Sequence, residues 1–144
     1  QWPAIENRIE GLRDSLAAAG RRKPTLTLVE SRSESFSDAQ QAFAAYLENN
    51  RLPGAVVGAN DQIAQAAMLL LADRGVRIPQ DVRVVGFNGF EALRYLRPRL
   101  TTVVSSAYEL GERAGEAMLH RLATGEFAAR DIVLPVHFDK GETT

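Results

Sequence analysis

The sequence predicts an α/β fold with a mostly parallel sheet and helices on both faces. Helical and strand patterns alternate along the chain, the connections between them are short, and two strand patterns are apolar runs of the kind buried in parallel sheets. The repeated strand–helix–strand order is the βαβ pattern, whose helices cover the sheet. With 144 residues, the chain is about as long as one domain.

The first third of the chain predicts two helices and a strand. A helix is expected over residues 4–19, because apolar side chains recur along one face at Ile5, Ile9, Leu12 and Leu16. Residues 25–30 alternate leucine with threonine, which predicts a strand. Ser37 and Gln40 have the spacing of a capping box and predict the start of a second helix.

The rest of the chain continues the alternation. We expect strands over residues 55–59, 82–87, 100–104 and 132–138, and helices over residues 62–74, 91–95 and 108–123. Asn60 and Asp61 have the chemistry of a helix cap, and Gly75 and Gly125 stand where helices commonly end.

The composition and motifs disfavour several classes of protein. Apolar residues make up 45% of the chain and the net charge is −1, which indicates a globular protein without the basic excess of a nucleic-acid-binding surface. There is no cysteine and no apolar run of membrane-spanning length. His120 and His137 lie in unrelated predicted elements, and no nucleophile, phosphate-loop or metal-ligand motif is present. We therefore expect neither an enzyme nor a bound cofactor or metal.

Polar residues follow the predicted strands, where open parallel sheets bind their ligands. Asn60 and Asp61 are either helix caps, the commoner role, or ligand contacts. Asn88 is either the first residue of an Asn-Gly turn or a carboxamide that offers a donor and an acceptor to a hydroxyl group. Arg8 lies beside the apolar stripe of the first helix, where it either extends towards solvent or points its five donors at a polar group.

Aromatic residues near element ends are candidates for stacking against a sugar, although aromatic side chains serve more often in cores and interfaces. They are Trp2, Phe36, Phe90 and Tyr95.

Six stretches together resemble the effector-sensing domain of the lactose-repressor (LacI/GalR) family of bacterial transcription regulators. They are RIEGL at residues 8–12, VGANDQIA at 57–64, GVRIPQDV at 75–82, VVGFN at 84–88, PRLTTV at 98–103 and YELG at 108–111. Each stretch is weakly specific, but their order and spacing match the family over nearly the whole chain.

The resemblance implies a fold like that of periplasmic sugar-binding proteins, with two α/β subdomains and an effector in the cleft between them. The chain is similar to the carboxyl-terminal part of such a sensor. Residues 1–107 and 130–139 would belong to the C-terminal subdomain, and helix 108–123 to an N-terminal subdomain that is mostly absent here. The family's DNA-binding helix-turn-helix is also absent from this chain.

The resemblance also implies which residues contact the effector: Arg8, Asn60 with Asp61, and Asn88. The family usually has aspartate where Asn88 stands, and many members have glutamine where Ser105 stands. Phe36 lies near the place of the family's cleft aromatic, and Trp2 is a further stacking candidate ahead of Arg8. These departures imply an effector different from those of the best-known members.

The family's subunits pair through the helix that follows Asn60 and the segment before Pro98. By resemblance, the dimer interface consists of Gln65, Met68, Leu69, Ala72, Tyr95 and Leu96. Ordinary core packing is the alternative for Met68, and we expect Ile63, Ala64, Ala67 and Leu71 to be core residues.

The function predicted from the sequence is effector sensing in a cytoplasmic transcription regulator. Its expected partners are a small sugar-like effector, a second copy of the chain in a homodimer or higher homo-oligomer, and DNA through the absent head, with no membrane contact. The first alternative is a solute-binding protein of a sugar transporter. A small flavodoxin-like enzyme or a receiver domain is a second, but each needs an acidic cluster or a phosphate loop.

Overall fold

The structure, a computed structural model, describes residues 3–20 and 24–144. In those residues the elements follow one another as α1 (Pro3–Ala18), α2 (Phe36–Asn49), β1 (Ala55–Val57), α3 (Asp61–Asp73), β2 (Arg83–Asn88), the 3-10 helix η1 (Glu91–Tyr95), β3 (Thr101–Ser105), α4 (Ala107–Thr124) and β4 (Val136–Asp139). Most predicted elements are present, with ends shifted by one or a few residues.

The four strands form one sheet in the order β1-β2-β3-β4. The first three are parallel, with Val57 beside Val85 and Asn88 beside Val104. Strand β4 runs antiparallel to β3 at one edge. The mixed α/β class and the mostly parallel sheet are therefore as predicted.

Both faces of the sheet are in contact with helices. Helix α3 packs on α2 and on strands β1 and β2, and their buried side chains form the core: Phe43, Ala64, Ala67, Met68, Leu71, Val82, Val84 and Leu100. Gly86 faces the start of α3, because a Cβ there would overlap Asp61. Since side chains alternate along a strand, Phe87 points to the other face, where Arg8 of α1 lies over its ring.

Two predicted strands differ from the structure. Residues 25–30 have no regular secondary structure, because no described strand lies beside them to satisfy their backbone groups. The last strand begins at Val136 rather than at Ile132, directly after Pro135, which has no N–H to donate to a ladder.

The predicted cap of α2 is also wrong. The helix begins at Phe36, and Ser35 is the capping residue: its Oγ accepts the N–H of Asp38 at 3.2 Å. Ser37 is therefore already inside the first turn of the helix.

The carboxyl-terminal tail inserts between the amino-terminal ends of β2 and β3. Thr143 is fully buried; its Oγ1 donates to the carbonyl of Val84 at 2.6 Å and accepts the N–H of Thr101 at 2.9 Å. The N–H of Val84 donates to the carbonyl of Thr143 at 2.9 Å. Thr143 thus satisfies backbone groups of two neighbouring strands, a contact that no local sequence pattern predicts.

Helix α4 is amphipathic, yet none of its residues is buried. Leu110 and Met118, two members of its apolar stripe, are 59% and 51% exposed. In the described part of the chain, no helix is both long enough and apolar enough to span a membrane.

Candidate ligand-binding site

The carboxyl ends of the three parallel strands gather the polar residues picked out in the sequence. The N–H of Gly58 donates to the carbonyl of Val85 at 2.8 Å, which extends the β1–β2 ladder almost to Asn60. Asn88 ends β2 and is paired with Val104, so Ser105 is one residue further along the neighbouring strand. Because neighbouring strands lie about 5 Å apart, one small ligand can reach all three strand ends.

Asn60 caps α3, as its residue type predicted. Its Oδ1 accepts the N–H of Ile63 at 2.9 Å, and its backbone is extended. This bond occupies the oxygen alone, so the two N–H donors of Nδ2 take no part in it. The half-buried side chain can therefore cap the helix and donate to a ligand at the same time.

Gly58 makes the sharp turn from β1 into α3 possible. A Cβ at this position would lie 2.6 Å from the backbone nitrogen of Ala64 and 2.7 Å from the carbonyl oxygen of Asn60. Only glycine lets the strand end approach the helix this closely. The turn thereby fixes where the Asn60 side chain stands.

Arg8 reaches the same edge of the sheet from α1. Its Nη1 donates to the carbonyl of Ala59 at 2.6 Å, and its guanidinium carbon lies 3.7 Å from the centre of the Phe87 ring. Ala59 and Phe87 directly precede Asn60 and Asn88 in the sequence. The guanidinium is therefore held beside both carboxamide residues.

The electrostatics at Arg8 have two opposing causes. Partial burial lowers the pKa of the guanidinium from its ordinary value, whereas the nearby carboxylate of Glu34 raises it. An arginine remains charged at neutral pH despite such shifts. Glu34 belongs to the loop before α2, so this loop also comes to the carboxyl edge of the sheet.

Asn88 has an unusual backbone conformation. Its φ is +115°, and among the described residues it is the one non-glycine residue with positive φ. Gly89 follows with φ of +75°. Residues in such sparsely populated regions cost free energy, persist where surrounding structure holds them, and cluster at functional sites.

Asp61 does not lie at the surface of this edge. Its side chain is 1% exposed, and both carboxylate oxygens accept hydrogen bonds from protein groups. The expected direct contact with a ligand is not available to Asp61 in this structure. The inward orientation of its side chain depends on hydrogen-bond donors that are distant in the sequence.

Two of the remaining predicted site residues lie on α2 and at the end of β3. Phe36 is the half-buried first residue of α2, two residues after Glu34. Ser105 is half-buried at the end of β3, and the following Ser106 caps α4 by accepting the N–H of Glu109 at 3.2 Å. Trp2 lies outside the described residues.

The residues expected at a dimer interface are mostly exposed. Leu69, Tyr95 and Leu96 are 46%, 77% and 39% exposed. Gln65 is half-buried and Ala72 is exposed. Met68 corrects the expectation: it is 8% exposed and packs in the core, because it shares the face of α3 that carries Ala64 and Leu71. Ala64, Ala67 and Leu71 are buried as predicted, and Ile63 is half-buried.

The gathered groups suit noncovalent recognition of a polar molecule. A guanidinium supplies charged donors, carboxamides supply both donors and acceptors, and Phe87 supplies an aromatic surface beside them. In residues 3–20 and 24–144, no three His, Asp or Glu side chains are grouped so that they can hold a metal ion. Sequence reasoning missed Phe87 and Glu34, because their proximity to Arg8 spans elements far apart in the chain.

The known proteins that this chain resembles belong to one family. Residues 2–144 match the model of the periplasmic binding protein-like domain. The chain is 32% identical over 129 residues to the ribose operon repressor of Haemophilus influenzae, an overlap covering 90% of this chain and 39% of that protein. The chain therefore spans well under half the length of this relative.

Two solved structures show the same fold. A LacI family transcriptional regulator from Enterococcus faecium with bound ribose has a TM-score of 0.86 and 27% identity, covering 97% of this chain and 51% of its own. A dimeric Lac repressor with an 11-residue C-terminal deletion has a TM-score of 0.70 and 31% identity, covering 76% of this chain and 40% of its own.

Proposed function

This chain belongs to the periplasmic binding protein-like domain family and is part of a LacI-type effector-binding domain, and we propose that it senses a small sugar-like effector for a DNA-binding regulator. Its partners would be that effector, a second copy of the chain, and DNA through a helix-turn-helix outside these residues. The sugar class is favoured because one similar regulator has ribose bound and another relative is a ribose operon repressor.

One observation carries this proposal: Arg8 is held directly beside the residues that lead into Asn60 and Asn88. A sugar hydroxyl can accept from a guanidinium and also exchange donor and acceptor roles with a carboxamide. Charge-assisted bonds from arginine are among the stronger hydrogen bonds and fix the orientation of the ligand. Phe36 and Ser105 would complete the contacts from neighbouring elements, and Trp2 remains a candidate for stacking.

Asn88 would determine which sugar is accepted. A carboxylate at this position can only accept hydrogen bonds, whereas the carboxamide of Asn88 both donates and accepts. The site would therefore tolerate an acceptor on the ligand, such as a ring or carbonyl oxygen, opposite Asn88. It would also carry one negative charge fewer beside Arg8.

Effector binding would act on DNA binding by shifting a balance between two arrangements of the sensor. A ligand can shift such a balance only by its differential affinity for the two states. Arg8, Asn60 and Asn88 would supply that difference from this half of the cleft. The exposed apolar stripe of α4 would pack on the other subdomain, to which that helix would belong.

A test compares Arg8→Ala with Arg13→Ala, which removes the same charge from an exposed position on α1. In the complete regulator that contains this chain, a panel of sugars beginning with ribose is titrated while operator release is followed by fluorescence anisotropy. We expect Arg8→Ala to abolish release by the active sugar while operator binding is retained, and Arg13→Ala to behave like the wild type. An unchanged response in Arg8→Ala would show that Arg8 is not part of the site. A wild-type protein that binds no operator would contradict the proposed function as a DNA-binding regulator.

A further inference from the structure

We propose that Asp61 is a positioning residue whose buried carboxylate sets the turn formed by residues 88–90 and thereby presents Asn88 to the effector. The contact between Asn88 and the effector rests on the proposed function, whereas the control of the turn by Asp61 does not. Asp61 thus acts through other residues and not through the direct ligand contact expected from the sequence.

The carboxylate of Asp61 joins three elements. It stands at the start of α3; Oδ2 accepts the N–H of Phe90 at 2.7 Å, and Oδ1 accepts the hydroxyl of Thr102 on β3 at 2.5 Å. These donors are 29 and 41 residues away in the sequence. Burying a carboxylate is unfavourable unless its oxygens are hydrogen-bonded, so both bonds are needed to hold it in the interior.

The absence of a side chain at Gly86 leaves room for this carboxylate on the sheet. A Cβ on Gly86 would overlap the Oδ1 of Asp61 and lie 2.9 Å from the Cδ2 of Leu100. The glycine thus lets the carboxylate lie directly against the backbone of β2. The position of Asp61 is therefore built into the sheet as well as into its hydrogen bonds.

The turn that Asp61 contacts is the one with unusual backbone angles. Asn88 and Gly89 have consecutive positive φ values, of +115° and +75°. Gly89 lies against β3, since a Cβ there would approach the side chain of Val104 to 2.7 Å. The hydrogen bond from Phe90 to Asp61 fixes the exit of this turn. A strained conformation persists only where its surroundings hold it, and this bond supplies such a hold.

Two other roles for Asp61 do not agree with its surroundings. Direct ligand contact is disfavoured by its 1% exposure. Helix capping is already performed by Asn60, whose Oδ1 accepts the N–H of Ile63. The carboxylate instead connects the start of α3 with the segment leading into η1, which carries the exposed Tyr95.

The first measurement needs no variant. In the isotope-labelled 144-residue chain without ligand, NMR can detect a scalar coupling across a hydrogen bond. We expect a coupling between the backbone nitrogen of Phe90 and the carboxylate carbon of Asp61. A Phe90 amide that exchanges with solvent as fast as an open loop, with no such coupling, overturns the proposal.

The second measurement compares Asp61→Ala with Thr143→Val, which also removes buried hydrogen bonds, those to Val84 and Thr101, but none to the turn formed by residues 88–90. We expect the hydrogen-exchange protection of the Phe90 amide to fall at least about tenfold in Asp61→Ala relative to the control, the order of magnitude of one hydrogen bond to a charged group. The Asn88 and Gly89 resonances should shift in Asp61→Ala alone. Equal effects in the two variants contradict a positioning role.

Asp61→Asn tests rescue by a similar side chain. Its Oδ1 can still accept from Phe90 while its Nδ2 donates to the hydroxyl of Thr102, so we expect wild-type resonances for the turn. Gly86→Ala, which displaces the carboxylate, should instead reproduce the loss of Phe90 protection. Titration of the complete regulator with the panel of sugars is a separate step: a turn controlled by Asp61 in a regulator that responds to no sugar supports the positioning role and rejects the proposed function.

Discussion

The guanidinium carbon of Arg8 lies 3.7 Å from the centre of the Phe87 ring, on the face of the sheet opposite α3. The ring holds the cation by a cation–π contact while Nη1 binds the carbonyl of Ala59. A long, flexible side chain is thereby ordered before any ligand arrives. Such preorganisation reduces the conformational entropy lost on binding.

Phe87→Leu removes the aromatic face while keeping an apolar side chain of similar reach. A cation–π contact at a partly exposed site contributes about 0.5–1 kcal/mol, so we expect sugar affinity to weaken roughly two- to fivefold. Calorimetric titration of the complete regulator with its active sugar measures this. Val85→Leu, on the same face of β2, is the control, and equal affinity in wild type and Phe87→Leu would show that the ring does not order Arg8.

Gly58→Ala should destabilise the chain by about 1–3 kcal/mol, the usual range for an overpacked site. The added Cβ would stand 2.6 Å from the backbone nitrogen of Ala64, which cannot move without displacing α3. Gly115→Ala in α4 meets nothing within 4 Å and should stabilise by up to about 1 kcal/mol through helix propensity. Urea unfolding of the pair measures the contrast. A Gly58→Ala chain as stable as the wild type would mean that the turn into α3 is looser than it is here.

Thr143→Val should lower the free energy of unfolding by about 1–3 kcal/mol, because it leaves the buried N–H of Thr101 without its acceptor. The carbonyl of Val84 loses a donor at the same time. Thr27→Val, at an exposed position, is the control and should change little. Thermal unfolding followed by circular dichroism provides the comparison. Identical melting of both variants would show that the tail does not hold the two strands together.

Acid stability depends on Asp81 in the turn before β2. The hydrogen bonds from the Arg77 side chain, and then from its backbone N–H, lower the pKa of Asp81 from 3.8 to about 2. Because the folded-state pKa is below the unfolded one, the contribution is complete above about pH 4 and is lost as the pH falls towards 2. Asp81→Asn should therefore flatten the loss of stability in this window. Urea unfolding from pH 6 to 2 tests this against Asp14→Asn, and parallel curves for wild type and Asp81→Asn would contradict it.

Subunit pairing is proposed through the outer side of α3 and the end of η1. Leu69 and Tyr95 are 46% and 77% exposed, and large exposed apolar side chains that form a patch commonly mark an interface. Placing a lysine at each position should shift a dimer towards monomer, because a buried unpaired charge is unfavourable. Sedimentation velocity measures this shift. Leu52→Lys is the control, because Leu52 is a similarly exposed leucine (44%) outside the proposed interface. A dimer that survives the double substitution uses a different surface.

Local patterns in the sequence were enough to predict most of the helices and strands and one important cap. The apolar spacing of α3 and the cap at Asn60 depend on residues within one or two turns of each other, so a short window contains them. The carboxyl-edge location of Asn60, Asn88 and Ser105 also followed, because parallel strands end on the same side of a sheet.

Tertiary structure alone decided which way the ambiguous side chains turned. Asp61 points inward because its donors, Phe90 and Thr102, come from elements that only the folded sheet brings together. Residues 25–30 have the alternation of a strand but form none, since a strand needs a neighbour and the described sheet places none beside them. Periodicity along a chain shows which face a residue prefers, whereas hydrogen-bond partners are determined by what the fold places opposite it.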